Sequence, residues 1–435
     1  MADRHPFSER AHKVIPGGAH TYSRGDDVLP VSAPAAFVRG KGAHVWDLDG
    51  REYVDWGMGI NNVLIGHAEA RIDDAAIAAI RRGQAFTRPT PLEVEAAEKL
   101  LAQFPQMRMA KFAKNGSDPN SAAIRLARAI TGRDLIAYDG RAPFLSIHDW
   151  FIGTTAIRAG VPRAIRDLSV PFAFNDIDSV EQLFVERGSQ LAAVIMEVCR
   201  ETLPAPGFLE RIRALCDRHG TLLIFDEVVT GFRYHVNGAQ ALFGVTPDLM
   251  AVGKGMANGY SLAALLGKRE YMMRGGLDHD AERVFLLSTT NGPEQSALAA
   301  TCETIAMYTE EDIVGHLYRA GGQIRAGLAD AARAEGIGAF LCAGGDFDCR
   351  PVLMCLGPDG EPSPSFRTLF LQEMLRSGVF MPWICPSFRH GEPEVARTFE
   401  AFSAAARVYA RAIEAGRAEA FLEGRPVKTV FRPFN

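Results

Sequence analysis

Two residues of this 435-residue chain, Lys254 and Asp226, have the types and the settings of a catalytic pair. Lys254 stands between two glycines after the apolar run 249–252, and a desolvated lysine amine readily forms a Schiff base with a carbonyl group. Asp226 ends the apolar run 222–225, where a protonated pyridine nitrogen would offset the cost of burying its carboxylate. Taken alone, Lys254 has an ordinary explanation as a solvent-exposed loop lysine, and Asp226 has one as a strand-end aspartate that caps the next turn. Together they predict a pyridoxal-phosphate site.

Such a site also needs a phosphate-binding element and a clamp on the pyridine ring. Gly116 and Ser117 precede a helical pattern, and the free N–H groups and dipole at a helix start bind phosphate. A second hydroxyl-rich stretch, 288–292, contains Thr289 and ends in glycine. A plain capped helix and ordinary core packing are the alternatives for these residues. The clamp candidates are Phe144 or Trp150 on one ring face and Val228 on the other.

The elements that must position these residues alternate between strand and helix from about 90 to 300. The pattern predicts strands at 109–113, 191–197 and 221–227, and helices at 93–104, 120–130 and 207–219. Strand 221–227 is apolar on both faces, which is typical of a buried parallel strand. The chain is therefore predicted to be an α/β protein with a mostly parallel sheet. Ligands of such sheets lie beyond the carboxyl ends of the strands, where Asp226 falls.

The length of the chain predicts more than one domain. Residues 61–310 are expected to form a large cofactor-binding domain. Residues 311–435 are expected to form a smaller α+β domain, with helices around 311–335, 366–377 and 393–416. The segment 1–60 is expected to join that smaller domain, with a hairpin of 35–39 and 44–55 turned at Asp49-Gly50.

Composition excludes several other classes of function. The net charge of −5 offers no electrostatic basis for binding nucleic acid or an anionic membrane. The sequence has no run of about 18 apolar residues, so we expect no membrane-spanning helix. The N-terminus lacks the apolar core of a secretory signal. The seven cysteines form no CxxC pair, so we expect neither a metal site nor a disulfide framework, and a cytoplasmic location. No GxGxxG follows a strand, which disfavours a Rossmann dehydrogenase.

Two longer motifs resemble a known family. Asp226-Glu-Val-Val-Thr-Gly-Phe-Arg233, followed by Pro247-Asp-Leu-Met-Ala-Val-Gly-Lys254-Gly, is similar to the signature of class III aminotransferases, which have the fold-type I pyridoxal-phosphate architecture. The resemblance runs from Pro16 to about Phe402 and is closest to the branch of glutamate-1-semialdehyde aminomutase and its aminotransferase relatives. It implies a homodimer whose active sites are shared between the subunits.

The resemblance also implies roles for individual residues. Lys254 would form the Schiff base and move protons, and Asp226 would hold the pyridine nitrogen. Thr289 would reach the phosphate of the neighbouring subunit, while Glu197 would lie near the substrate. Arg24 would bind a substrate carboxylate, a task that suits a bidentate guanidinium. The other implied cofactor contacts are the phosphate residues Gly116 and Ser117 and the ring-packing residues Phe144 and Val228.

The sequence departs from the family pattern around the expected pocket. Phe144-Leu145-Ser146 replaces the usual Tyr-His-Gly, and Glu197 is followed by valine rather than proline. Thr290-Asn291-Gly292 replaces Leu-Ser-Gly after the phosphate threonine. Ile60 stands where the aminomutase has a substrate-pocket tryptophan, with Asn61 and Asn62 beside it. These changes argue against the substrate of the aminomutase itself.

The favoured hypothesis is an aminotransferase that moves an amino group from an amino acid, expected to be glutamate, to a ketone or aldehyde. Asn61 and Asn62 suggest a polyol-like or sugar-like acceptor. One alternative is an intramolecular aminomutase, which Arg24 favours and the missing tryptophan disfavours. The other is a cofactor-holding protein with little turnover, which the loss of Tyr-His-Gly favours and the retention of Lys254 and Asp226 disfavours.

Overall fold

The computed structural model describes residues 5–434, and the chain divides into two compact units. The described parts of Met1–Glu69 and Gly315–Asn435 form the smaller unit, and Ala70–Val314 forms the larger. No helix within 5–434 has the length and apolar character needed to cross a membrane. The strands in this range are β1 (Phe37–Lys41), β2 (His44–Asp47), β3 (Glu52–Asp55), β4 (Met109–Ala113), β5 (Leu135–Asp139), β6 (Ser169–Phe172), β7 (Leu191–Met196), β8 (Leu222–Glu227), β9 (Leu249–Val252), β10 (Ala263–Gly267), β11 (Leu341–Gly344), β12 (Val352–Cys355) and β13 (Val379–Phe380).

The helices differ widely in length, from single turns to six-turn rods. They are α1 (Pro6–Val14), α2 (Met58–Asn61), α3 (Ala70–Ile80), α4 (Pro91–Gln103), α5 (Ser117–Thr131), α6 (Asp149–Ile152), α7 (Arg163–Arg166), α8 (Ile177–Arg187), α9 (Phe208–His219), α10 (Gln240–Phe243), α11 (Arg269–Met272), α12 (Gln295–Glu310), α13 (Ile313–Ala334), α14 (Pro364–Arg376) and α15 (Glu392–Glu414).

A seven-stranded sheet organises the larger unit, in the order β4-β10-β9-β8-β7-β5-β6. Only β10 runs against its neighbours, β4 and β9, while the remaining neighbours pair in parallel. Every residue of β7, β8 and β9 is buried, as expected for parallel strands covered on both faces. The predicted α/β class with a mostly parallel sheet is therefore confirmed.

Local sequence determines where the helices beside this sheet begin and end. Thr90 caps α4 and exchanges hydrogen bonds with Glu93 in a capping box, and Pro91 occupies the first turn. Helix α9 ends where Gly220 takes a left-handed conformation with φ of 61°. Helix α5 begins at Ser117, three residues before the predicted start. The predicted strands and helices of this unit thus form within a few residues of their expected bounds.

In the smaller unit, β1, β2 and β3 form an antiparallel meander, and β13 pairs in parallel with β3. The predicted single hairpin is wrong in its strand count, because a second turn at Gly42 (φ 59°) separates β1 from β2. The expected turn at Asp49-Gly50 does join β2 to β3, with Gly50 at φ 79°. Helices α13, α14 and α15 supply most of the core around Trp56.

Helix α2 is a left-handed turn rather than a regular helix. Met58, Gly59, Ile60 and Asn61 have φ angles of 39°, 62°, 67° and 59°. A β-branched residue such as Ile60 is a rare occupant of this conformation. The side chain of Asp55 anchors the turn by accepting hydrogen bonds from the N–H groups of Gly57 (2.7 Å) and Met58 (3.2 Å). The sequence pattern contained no sign of this turn.

The buried carboxylate of Asp248 ties β9 to its surroundings in the larger unit. It accepts hydrogen bonds from Leu223 N (2.8 Å), Arg213 Nη1 (2.9 Å) and Lys268 Nζ (2.6 Å). We predict that Asp248→Ala lowers the free energy of unfolding by about 3–5 kcal/mol, because two cations and a backbone donor lose a shared buried partner. Urea unfolding would measure the change.

Asp217→Ala is the matched control for this prediction. Asp217 also pairs with Arg213, at 2.7 Å, but its side chain is 66% exposed. Asp217→Ala should therefore lower the free energy of unfolding by less than about 1 kcal/mol. Equal losses in the two variants would contradict the proposed importance of the buried carboxylate.

Candidate active site

One edge of the seven-stranded sheet brings most of the predicted site residues together. Strands β4, β5, β7, β8 and β9 share one direction, so their carboxyl ends lie at the same edge, where α/β proteins bind ligands. The predicted residues that follow these ends are Gly116 and Ser117 after β4, Phe144 after β5, Glu197 after β7, Val228 after β8 and Lys254 after β9. Asp226 is the penultimate residue of β8 itself.

Asp226 is buried, with 5% of its surface exposed. Its Oδ1 accepts a hydrogen bond from Val228 N at 2.9 Å, and its Oδ2 accepts one from Asn120 Nδ2 at 2.7 Å. Burial raises the pKa of this carboxyl from 3.8 to about 6, and these hydrogen bonds and the positive charge of Lys254 oppose the rise. The carboxylate is therefore held in a setting that favours an additional cationic partner.

Glu227 holds the loop that carries Val228. Its carboxylate is fully buried and accepts hydrogen bonds from Thr230 Oγ1, Ala239 N (2.9 Å) and Gln240 N (2.8 Å). Burial raises the pKa of Glu227 to about 7. By joining residues 230 and 239–240, this side chain fixes the path of the chain directly after β8.

The side chain of Val228 lies near two glycines, Gly116 and Gly253. A Cβ atom at Gly116 would fall 2.7 Å from Val228 Cγ2, and one at Gly253 would fall 3.5 Å from Val228 Cγ1. Only glycine fits at position 116 without moving the valine. Lys254 follows Gly253 with a φ of 45°, a conformation that costs about 1–3 kcal/mol in a residue other than glycine and is common at functional sites.

The start of α5 carries the expected phosphate donors. The N–H groups of Ser117 and Asp118 donate to Asn115 Oδ1 at 3.0 and 3.1 Å, so an exposed side chain caps the helix where an anion would bind. Ser117 Oγ accepts a hydrogen bond from Ile147 N at 3.1 Å. A bound phosphate would take the place of the Asn115 oxygen, and Ser117 links this site to the loop after Phe144.

The structure distinguishes between the two aromatic candidates for the ring clamp. Trp150 belongs to the core, with its indole N–H donating to Ser121 Oγ at 2.9 Å. Phe144 is 44% exposed and meets Phe151 edge-on, with ring centroids 5.9 Å apart. Phe144 is therefore the better candidate to cover a bound ring. Its assignment as a cofactor contact remains a prediction.

Glu197 is buried after β7, and its charge contributes to the raised pKa of Glu227. Arg200 lies beside it, with Nε 3.7 Å from Glu197 Oε2. The same guanidinium is 3.9 Å from Asp139 and 3.4 Å from Glu201. Sequence reasoning missed Arg200, although the three-residue spacing from Glu197 was visible.

Two predicted residues belong to other segments of the chain. Thr289 is exposed in the loop before α12, where its carbonyl accepts a hydrogen bond from Gly292 N at 3.0 Å. Arg24 is exposed in the smaller unit, at the end of a short 3-10 helix, Tyr22–Arg24. Asn120 is the main residue that sequence reasoning missed. It is fully buried on α5, and a polar residue on the inner face of that helix was the available sign.

The residues at the sheet edge fit pyridoxal phosphate. A buried carboxylate at Asp226 suits a protonated ring nitrogen, and the glycine at position 116 lets Val228 pack closely against the start of α5. The start of α5 offers donors for the phosphate, and Lys254 offers an amine for the aldehyde. Each part of the cofactor thus has a chemically matched group in the larger unit.

The raised pKa of Asp226 leads to a prediction about stability and pH. The folded carboxyl binds its proton more tightly than the unfolded one, since its pKa is about 6 instead of 3.8. The stability that this proton contributes is present below about pH 4 and is lost as the pH rises through about 6. We expect the cofactor-free protein to lose about 1.5 kcal/mol more than Asp226→Asn between pH 5 and pH 8.

Urea unfolding of both proteins across this pH range would measure the difference. Glu227 titrates in both proteins, so its own burial contributes equally to both curves, and the difference reports Asp226 together with its coupling to Glu227. Parallel stability curves for the two proteins would show that Asp226 does not titrate as described.

Comparison with known proteins gives this geometry a context. The family description "Aminotransferase class-III" matches residues 27–344 of the chain. The 3-aminobutyryl-CoA aminotransferase of Cloacimonas acidaminovorans is 33% identical over 90% of this chain and 94% of its own length. The glutamate-1-semialdehyde 2,1-aminomutase of Syntrophobacter fumaroxidans is 34% identical over 86% of this chain and 88% of its own length.

A solved structure extends the likeness to the fold. The FumI protein of Sphingopyxis sp. MTA144, in its pyridoxal-phosphate internal aldimine form, superposes with a TM-score of 0.86. It is 28% identical, and the match covers 95% of this chain and 98% of that protein. The predictions of a fold-type I architecture, of pyridoxal phosphate as the cofactor and of an aminotransferase-class enzyme are confirmed. This chain belongs to the class-III aminotransferase family.

Proposed function

We propose that this protein transfers an amino group from an amino-acid donor, with glutamate as the first choice, to a ketone or aldehyde acceptor. The observation that carries the proposal is that Lys254 lies just after β9 while Asp226 lies at the carboxyl end of the neighbouring strand, β8. Both residues belong to one compact unit, and the charge of Lys254 acts on the Asp226 carboxyl. An amine and a buried carboxylate placed in this way suit the aldehyde and the ring nitrogen of pyridoxal phosphate.

When bound, pyridoxal phosphate supplies an aldehyde that condenses with amines and a ring that accepts electrons from the substrate carbon. Lys254 Nζ would hold the cofactor and carry a proton between carbon atoms. The Asp226 carboxylate would keep a proton on the ring nitrogen. Ser117 and the first N–H groups of α5 would bind the phosphate, and Val228 and Phe144 would pack on the ring.

A second group of residues is proposed to select the substrate. Glu197 lies at the same sheet edge as Asp226, so we propose that it faces the substrate side. Arg24 would bind a substrate carboxylate through its guanidinium. Asn61 and Asn62, at the end of the left-handed turn, support a polyol-like or sugar-like acceptor. We also propose a cytoplasmic homodimer in which Thr289 reaches the phosphate of the partner's site.

The aminomutase is a second candidate, and the 34% identity to a glutamate-1-semialdehyde 2,1-aminomutase favours it. Ile60 disfavours this candidate, since the resemblance implies a substrate-pocket tryptophan at this position in the aminomutase. A third candidate, a cofactor-holding protein with little turnover, draws support from the replacement of Tyr-His-Gly by residues 144–146. The buried, hydrogen-bonded Asp226 weighs against it, because such a setting serves catalysis more directly than storage.

The central prediction concerns Lys254. The purified protein should show a visible cofactor band that Lys254→Ala lacks or shifts, because the amine that binds the aldehyde is gone. Turnover should fall by at least about 1000-fold, on the scale of removing a covalent catalytic group. Lys99→Ala is the control, since Lys99 lies on α4 and pairs with Glu95. An unchanged band in Lys254→Ala would contradict the assignment.

A second prediction separates the three candidate functions. Glutamate or another amino acid should bleach the band in the absence of any acceptor, as the first half of a two-step transfer requires. A panel of ketones, aldehydes and oxidised sugars should then restore it and identify the acceptor. Isomerisation of one purified amino-carbonyl compound without any donor would favour the aminomutase. A band that no amine alters would favour the protein with little turnover.

A further inference from the structure

The side-chain amide of Asn120 links two parts of the candidate site. Its nitrogen, Nδ2, lies 2.7 Å from Asp226 Oδ2 and 2.7 Å from the carbonyl oxygen of Leu145. Asn120 has no exposed surface, so water does not compete for these bonds. One NH₂ group therefore binds the carboxylate at the end of β8 and the backbone of the loop that contains Phe144 and Leu145.

The orientation of this amide follows from its two acceptors. An amide nitrogen has two hydrogens to donate, and Leu145 O and Asp226 Oδ2 take one each. The reversed orientation would turn the amide oxygen toward a carbonyl oxygen, which has no hydrogen to offer. Asn120 Oδ1 is left buried without a hydrogen-bond partner among the described residues. Such an unsatisfied acceptor is costly and calls for an explanation.

The two hydrogen bonds that the amide donates explain why its oxygen is left without a partner. A donor facing Asp226 Oδ2 stabilises that carboxylate in its ionised form, which is the form that pairs with a protonated ring nitrogen. The bond to Leu145 O gives the amide a second fixed point, so the donor cannot turn away. We propose that Asn120 is a positioning residue that holds Asp226 ionised and in place for the ring nitrogen of pyridoxal phosphate. This inference rests on the cofactor site of the proposed function.

Ser121 offers a comparison within the same helix. Its hydroxyl accepts a hydrogen bond from Trp150 Nε1 at 2.9 Å and lies 3.2 Å from Ser146 Oγ. Like Asn120, Ser121 therefore connects α5 to the loop after β5. Neither of these two hydrogen bonds involves Asp226. A purely structural role for Asn120 would make the two residues equivalent.

The test measures the dissociation constant of pyridoxal phosphate from the protein by visible absorption. Asn120→Asp keeps the shape of the side chain but removes both donors and sets a second carboxylate against Asp226. We expect it and Asn120→Ala to weaken cofactor binding by about 10- to 100-fold and to change the visible spectrum. Ser121→Ala should stay within about threefold of wild type. Wild-type affinity and spectrum in both Asn120 variants would overturn the proposal.

A cofactor analogue that carries CH in place of the ring nitrogen sharpens the test. If Asn120 acts through Asp226 and that nitrogen, wild type and Asn120→Ala should bind the analogue with similar affinity. An equal loss of affinity for the analogue and for pyridoxal phosphate would overturn the proposal in favour of a structural role. The midpoint of thermal unfolding without cofactor serves as the check on folding, and Asn120→Ala replaces Asn120→Asp if the latter does not fold.

The experiment separates the two levels of the hypothesis. Failure of the wild-type protein to bind pyridoxal phosphate would overturn the proposed function and this inference together. Normal cofactor binding by wild type and by both Asn120 variants would overturn the inference alone. Combining Asn120→Ala with Asp226→Asn should add less than a further threefold loss, since the two side chains act on one contact.

Discussion

The burial of the Asp226 carboxylate is the constraint on which the candidate site depends. A charge at the end of a buried strand is unfavourable without compensating contacts. The structure supplies donors from Val228 N and from Asn120, together with the charge of Lys254, yet burial still raises the pKa to about 6. A protonated ring nitrogen would complete this compensation. The burial of this carboxylate is unfavourable for the protein alone, and a bound cofactor would offset it.

The surrounding scaffold keeps this carboxylate and its neighbours in register. Parallel pairing of β7, β8 and β9 puts Glu197, Asp226 and Lys254 at one edge. Glu227, one residue beyond Asp226, points elsewhere and pins the following loop through buried hydrogen bonds. Adjacent residues of one strand, whose side chains point to opposite faces, therefore have different partners: Asp226 binds Asn120, and Glu227 binds the loop after β8. The fully buried strands β7, β8 and β9 give these positions the rigidity that cofactor chemistry requires.

The departures from the family pattern have a structural counterpart in the loop after β5. Leu145 is buried and its carbonyl binds Asn120, while Ser146 is buried and joins Ser121. The segment that replaces Tyr-His-Gly is thus built into the core of the larger unit. Its exposed member is the ring of Phe144. The replacement keeps an exposed aromatic ring at position 144 while changing the polar groups near it.

The sequence by itself determined the α/β class, the strands that end near the site, the lysine–aspartate pair and the family. These follow from apolar periodicity and from short motifs, which depend on residues close together in the chain. The tertiary structure decided what depends on distant residues. It set Asn120 against Asp226 across 106 positions, placed Arg200 among three carboxylates and buried Trp150 while exposing Phe144. It also made a left-handed turn at Ile60, where Trp383 Nε1 donates to Gly57 O at 2.8 Å, and a turn at Gly42 that adds a third strand and exchanges two backbone hydrogen bonds with His67. These partners are distant in the chain, so local sequence does not reveal either turn.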